Sequence, residues 1–159
     1  MDYLLWKLLH VVSVIVFMGN IVTGLFWAAR AHKTRDFLLI ATTFEGIIRS
    51  DRWFTIPGVI GILIGGFSAA IDGKFPILGT GWILWSIVLF SISGVVFSVW
   101  IVPLQRKIAE FARGADTSEE SWQGHRKMYK KWELWGLLAM IAPVAAVVIM
   151  VLKPSLPGF

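Results

Sequence analysis

The chain has 159 residues, 57% of them hydrophobic and 16% charged, where soluble domains carry roughly 25% charged residues. With a mean hydropathy of +0.73 this reads as an integral membrane protein, one transmembrane domain over 1–159 with no separate soluble domain. The absence of cysteine rules out disulfides and thiolate metal sites. The net charge of +5 is no nucleic-acid signal, because the basic residues flank apolar runs as membrane topology requires.

The first element is expected at about residues 3–29. From Leu8 to Ala29 there are 22 residues without a formal charge, interrupted only by His10, enough to cross the roughly 30 Å hydrocarbon core. Met1-Asp2 supplies no basic n-region and the run exceeds the roughly 7–15 residues of an h-region, so a membrane span is expected rather than a cleaved leader. Next, Phe37, Leu38, Ile40, Ala41, Phe44, Ile47 and Ile48 repeat at helical spacing with Asp36, Thr43, Glu45 and Arg49 largely between them. This predicts an amphipathic cytoplasmic helix that lies at the interface or leads into the second span, with contact to a partner protein as the alternative.

The second span, about 50–71, is anchored on the charge-free run Phe54–Ile71. Starting at Pro57 it would be too short, so the helix is expected to begin upstream near Arg49 and to kink at the proline. The third span, about 79–102, lies within the uncharged run Phe75–Gln105, and the fourth, about 133–152, within Leu134–Leu152. Between them Gly114–Glu120 breaks the chain. Gln105–Arg113 and Ser121–Lys131 read as helical extensions, with Thr117 or Ser118 as an N-cap and Glu119 and Glu120 favourable in the first turn.

Twelve of the fifteen Lys and Arg residues fall after spans one and three, leaving Lys7, Lys74 and Lys153 for the other side. The positive-inside rule puts the twelve in the cytoplasm and both termini outside. Tyr3, Trp6, Trp82 and Trp85 would then form an outer aromatic belt, and Trp27, Trp53, Trp100, Trp132 and Trp135 an inner one. The expected fold is all-α: a four-helix antiparallel bundle in the lipid bilayer of a bacterial inner membrane.

Small residues recur at helical spacing. Span one has Asn20, Gly24 and Ala28, and span two Gly58, Gly61, Gly65 and Ser68. Span three has Ser91, Gly94 and Ser98, and span four Gly136, Ala139, Pro143 and Ala146. Lipid offers no hydrophobic drive for helix association, so close backbone approach must supply it. Such stripes serve the bundle or a homo-oligomer.

His10 is the only titratable group inside an apolar run. Imidazole ligates iron or copper, and intramembrane ionisable groups usually face a partner in the bundle. Matching depth brings Ser68, Ser86 and Met150 to its layer, Met150 being a sensible second axial ligand for a haem. The plainer reading is a structural His bonded to a hydroxyl or carbonyl. His32 and His125 fall in cytoplasmic segments, so an intrachain bis-His site in the membrane is excluded. Glu133 opens span four, as a proton carrier, a partner of Arg52, or an ordinary helix-start acid. Spans two to four show no charge at mid-membrane, hence no visible transport path, and Asn20 reads as interhelical glue.

The opening Tyr3-Leu4-Leu5-Trp6-Lys7-Leu8-Leu9-His10-Val11-Val12 resembles the start of small bacterial four-helix membrane proteins grouped as a domain of unknown function. More distantly it is similar to the haem-binding, oxygen-independent protoporphyrinogen oxidases and to copper-resistance D-type domains. Thr55-Ile56-Pro57-Gly58, Tyr129–Glu133 and Lys153-Pro154 carry the rest of the likeness. It implies that His10 corresponds to a helix-one His implicated in haem binding, and Glu133 to an acidic residue of the oxidase pattern. The oxidases have a His and a Lys after a Trp at the start of helix three, whereas Trp82-Ile83-Leu84-Trp85-Ser86 has neither. Three functions follow as expectations: haem b at His10 with a redox or electron-transfer role, a non-catalytic assembly protein packing through its small-residue faces, and porphyrinogen oxidation.

Overall fold

The computed structural model describes residues 2–159, and every apolar run becomes part of a long helix. Four helices are long and apolar enough to cross a membrane: α1 (Tyr3–Thr34), α2 (Phe37–Asp72), α3 (Gly81–Gly114) and α4 (Glu119–Leu152). At about 1.5 Å per residue each is roughly 50 Å long, some 20 Å more than the hydrocarbon core requires. No strand occurs among the described residues. The N-terminus, the α2–α3 turn and the C-terminal tail share one end of the bundle, where Phe159 N–H donates to the Leu78 carbonyl at 2.9 Å and Trp85 Nε1 to that of Pro157 at 3.1 Å. This is the terminal end. The opposite, basic end carries the Lys- and Arg-rich connections.

The amphipathic segment takes the second of its two expected courses. It runs straight into the second span as one helix beginning at Phe37, well upstream of Arg49. The Asp36 carboxylate caps it, accepting from the N–H groups of Leu38 (2.9 Å) and Leu39 (3.1 Å). Its apolar face does not lie on a membrane surface. Ile40, Ala41 and Phe44 are fully buried against Ile108, Ala109 and Ala112 of α3 and Trp122, Tyr129 and Trp132 of α4. The buried core of the molecule therefore sits at the basic end. There the helices outrun the lipid and must cover apolar side chains from water, whereas the spans leave large apolar residues such as Ile15, Ile64, Ile92 and Ile141 facing outward.

The expected kink at Pro57 is a π turn, Asp51–Thr55, inside an otherwise continuous helix. A proline clashes with the carbonyl four residues back and leaves it without a donor, and widening the turn to i→i+5 accommodates both problems. The same device recurs in α3, where Phe97–Ile101 is a π turn just ahead of Pro103.

Packing is pairwise towards the terminal end: α1 lies along 56–72 of α2, and 81–96 of α3 along α4. No Cα of 56–72 comes within 8 Å of α3 or α4. The pairs join through the basic half, which the Arg113–Glu45 bidentate ion pair also ties (2.7 and 2.6 Å). That bond from Arg113 holds the Glu45 carboxyl below the usual range. Ser118 caps α4, its hydroxyl accepting from Ser121 N–H at 3.2 Å.

Candidate functional site

His10 sits where α1 is closest to α2. Its Nδ1 lies 2.9 Å from the Ile62 carbonyl oxygen. A carbonyl only accepts, so Nδ1 carries the proton and donates, which leaves a lone pair on Nε2. That is the tautomer in which a histidine ligates iron, oriented by a backbone bond on its other nitrogen. Room for the ring comes from two glycines. A Cβ on Gly66 would stand 2.9 Å from His10 Nδ1, and one on Gly65 2.7 Å from the His10 backbone nitrogen. Of the neighbours suggested by depth, Ser68 shares the α2 stretch that packs on α1, while Ser86 and Met150 lie elsewhere. Ser86 is committed to α3 and α4, donating to the carbonyls of Trp82 (2.7 Å) and, more weakly, Ala146 (3.4 Å). Met150 is a partly exposed residue of α4, in the other helix pair. The donor set thus fits haem iron on one side, through His10, and no second protein ligand is brought to it.

The small residues of α2 serve α1. A Cβ on Gly61 would run into the Ser13 hydroxyl, and one on Gly58 would stand 3.2 Å from the Phe17 Cβ. Gly24 meets Ile47, and Gly136 meets Leu25. In α3 it is Ser86 and Ser93 that are buried, Ser93 donating to the Ala139 carbonyl at 2.8 Å. Ser91, Gly94 and Ser98 are exposed, and no atom lies within 4 Å of a Cβ built on Gly94.

Asn20 is one member of a polar junction between three helices. Its amide donates to Asp51 Oδ1 (3.1 Å) and Thr55 Oγ1 (2.9 Å), while its Oδ1 accepts from the Ser50 hydroxyl. Thr55 Oγ1 donates to Asp51 Oδ1 (2.8 Å), and Gln105 Nε2 of α3 to Asp51 Oδ2 (3.1 Å). Thr55 and Gln105 are buried. Both π turns abut this junction, and together with Phe17, Phe90 and Trp132 they wall a cavity of about 100 Å³.

The second cluster lies beyond the apolar spans, at the basic end. His32 of α1 and His125 of α4 approach with Nδ1 and Nε2 3.0 Å apart. The His32 ring is stacked on Tyr129 (3.9 Å, 5° between planes) and on Trp122 (5.0 Å, 23°). His125 is fully buried, and its Nδ1 has no partner. Burial and the neighbouring His32 push the His125 imidazole down to about 4. Burial, partly opposed by the Glu133 carboxylate, lowers His32 as well. Burial and Glu133 raise the Tyr129 phenol, which donates to that carboxylate at 3.3 Å. Glu133 pairs with no arginine among the described residues. Nor do three His, Asp or Glu side chains gather there into a metal site.

Four helices of this length and apolarity agree with a comparison across families. The family model described as "Predicted integral membrane protein (DUF2269)" matches residues 4–154. The chain belongs to that family. The match takes in all four helices of this DUF2269 protein up to Pro154, and so includes His10, the Asp51 junction and the His32–His125 pair. No curated protein and no solved structure matches it.

Neither the Asp51 junction nor the histidine pair was singled out by the sequence. The available signals were modest. Trp122, His125, Tyr129 and Trp132 follow i, i+3, i+7, i+10, one face of a helix, and Asp51 stands one turn before Thr55 ahead of a proline.

Proposed function

We propose that this DUF2269 protein takes a b-type haem on His10 and serves in electron transfer within the membrane. The observation that carries the reading is the His10 Nδ1–Ile62 carbonyl bond, which fixes the ring and leaves Nε2 as a bare ligand nitrogen. The likeness of its Leu9-His10 pair to a haem-binding helix-one motif agrees with it. A bound haem supplies one-electron exchange at iron. The chain's part is to hold the ligand ring by its bond to the Ile62 carbonyl and against Gly65 and Gly66. His10 is the residue that would hold the haem, and Met150, in the other helix pair, is not brought to it. Porphyrinogen oxidation is left out, since Trp82–Ser86 lacks the His and Lys of that enzyme family.

The reading includes an orientation. The basic end faces the cytoplasm of a bacterial inner membrane and the terminal end the outside, following the distribution of Lys and Arg. The test is haem content. Protein purified from haem-replete cells should carry haem, and His10→Ala should lose nearly all of it while Ser86→Ala keeps it. Equal haem in wild type and His10→Ala, or none in either, overturns the reading.

One observation favours a second reading, self-assembly. The Ser91–Gly94–Ser98 face of α3 is exposed, whereas the corresponding face of α2 is taken up by α1.

A further inference from the structure

Asp51 is a partly buried ionisable group that the haem reading does not use. It is the one aspartate of the chain that is not exposed among the described residues, and it stands in the wall of the interior cavity. Every group that faces it is neutral: Asn20 from α1, Thr55 from its own helix and Gln105 from α3. From α4 the cavity is lined by Trp132, Gly136 and Ala139. Arg49 and Arg52, on the same helix, are exposed, and no Lys, Arg or His lies within 4 Å of the carboxylate. A carboxylate with no cation beside it at the edge of an apolar cavity keeps its charge at a cost that its three hydrogen bonds offset only in part, and a bound proton or cation would relieve it.

The chemistry of the junction selects which one. A metal cation needs oxygen lone pairs turned towards it. Here Asn20 and Gln105 present amide hydrogens to the carboxylate and Thr55 its hydroxyl hydrogen, and a metal ion would meet all three. A proton needs only one free lone pair. Oδ1 accepts two of these bonds and Oδ2 one, so Oδ2 retains a site. Asp51 borders a cavity of about 100 Å³ whose lining is almost wholly apolar and hence dry, and the carboxylate keeps a partly exposed side. We propose that Asp51 is an exchangeable proton site at the three-helix junction, loaded on Oδ2 and emptied along this partly exposed side. The proton arrives from hydronium and returns to water. The site goes beyond the haem reading and does not rest on it, because its partners include neither His10 nor any group that touches His10.

Infrared spectroscopy of the protein in lipid bilayers tests this. Uniform ¹³C-aspartate labelling should shift a carboxylic C=O band that is present at neutral pH, and the other aspartates differ from Asp51 in being exposed. The band should move again in D₂O as the proton exchanges. It should vanish in Asp51→Asn and survive in Asp72→Asn. No labelled carboxylic band at any mildly acidic to mildly alkaline pH overturns the proposal, and so does a band that never responds to D₂O. A sodium-dependent rise in melting temperature that Asp51→Asn abolishes assigns the site to a metal cation instead.

Discussion

At the scale of single residues, the fully buried His125 governs how the basic end responds to acid. Burial and the neighbouring His32 push its imidazole down to about 4 when folded, from an ordinary value of 6.5. The unfolded chain therefore binds more protons between those two values. Stability from this group is complete above about 6.5 and is lost as the pH falls towards about 4. The loss is on the order of 2–3 kcal/mol. Thermal melting of the detergent-solubilised protein across that range should show it. His125→Phe, which keeps an aromatic ring among Trp122, Tyr129 and Phe37, should flatten the acid limb. An unchanged acid limb in that variant means that another group is responsible. The α1–α2 contact is equally local. Gly65→Ala drives a Cβ into the backbone of α1 at His10 and should cost about 1–3 kcal/mol. Gly94→Ala enters open space and should leave melting unchanged or slightly raised.

At the scale of elements, the same substitution sites separate two uses of small residues. Spacing in the sequence points to Ser91, Gly94 and Ser98 as the small-residue face of α3, and it is not the face that packs on α4. Rotation about the helix axis, set by α4, buries Ser86 and Ser93 and exposes Ser91, Gly94 and Ser98. If the exposed series mediates self-assembly, Gly94→Leu should dissociate the oligomer without lowering the monomer's melting temperature, as read by cross-linking and light scattering. Spans were legible because lipid demands apolar residues on every face, so their length stands in the sequence as charge-free runs. The π turns were only half legible: Pro57 announced a disturbance, but the wide turn one step ahead of it depends on backbone compromise. The His32–His125 pair was not legible, because 93 positions separate two residues that meet only through the docking of α1 on α4. Asp51 stands between Arg49 and Arg52 in the sequence, with nothing in the pattern to set it apart. Its interior position follows from Asn20 and Gln105 arriving from other helices.

At the scale of the whole molecule, the account describes two helix pairs, tied together through a packed basic half, with both termini at the opposite end. The native chain has no cysteine, so single cysteines report topology without background. Cysteines replacing Asp2, Lys74 and Ser155 should react with a membrane-impermeant maleimide from one face, the outer one. Those replacing Lys33 and Gly114 should react only after the cells are opened. Asp2 and Lys74 on opposite faces would contradict the four-span fold, and all three terminal-end sites shielded in intact cells would reverse the orientation. The function proposed for the whole is tested most directly by one reduced-minus-oxidised visible spectrum of membranes carrying the protein. The account predicts a b-type haem difference band that scales with the protein and disappears in His10→Ala. A flat difference spectrum from haem-replete membranes, or a band untouched by His10→Ala, would contradict it.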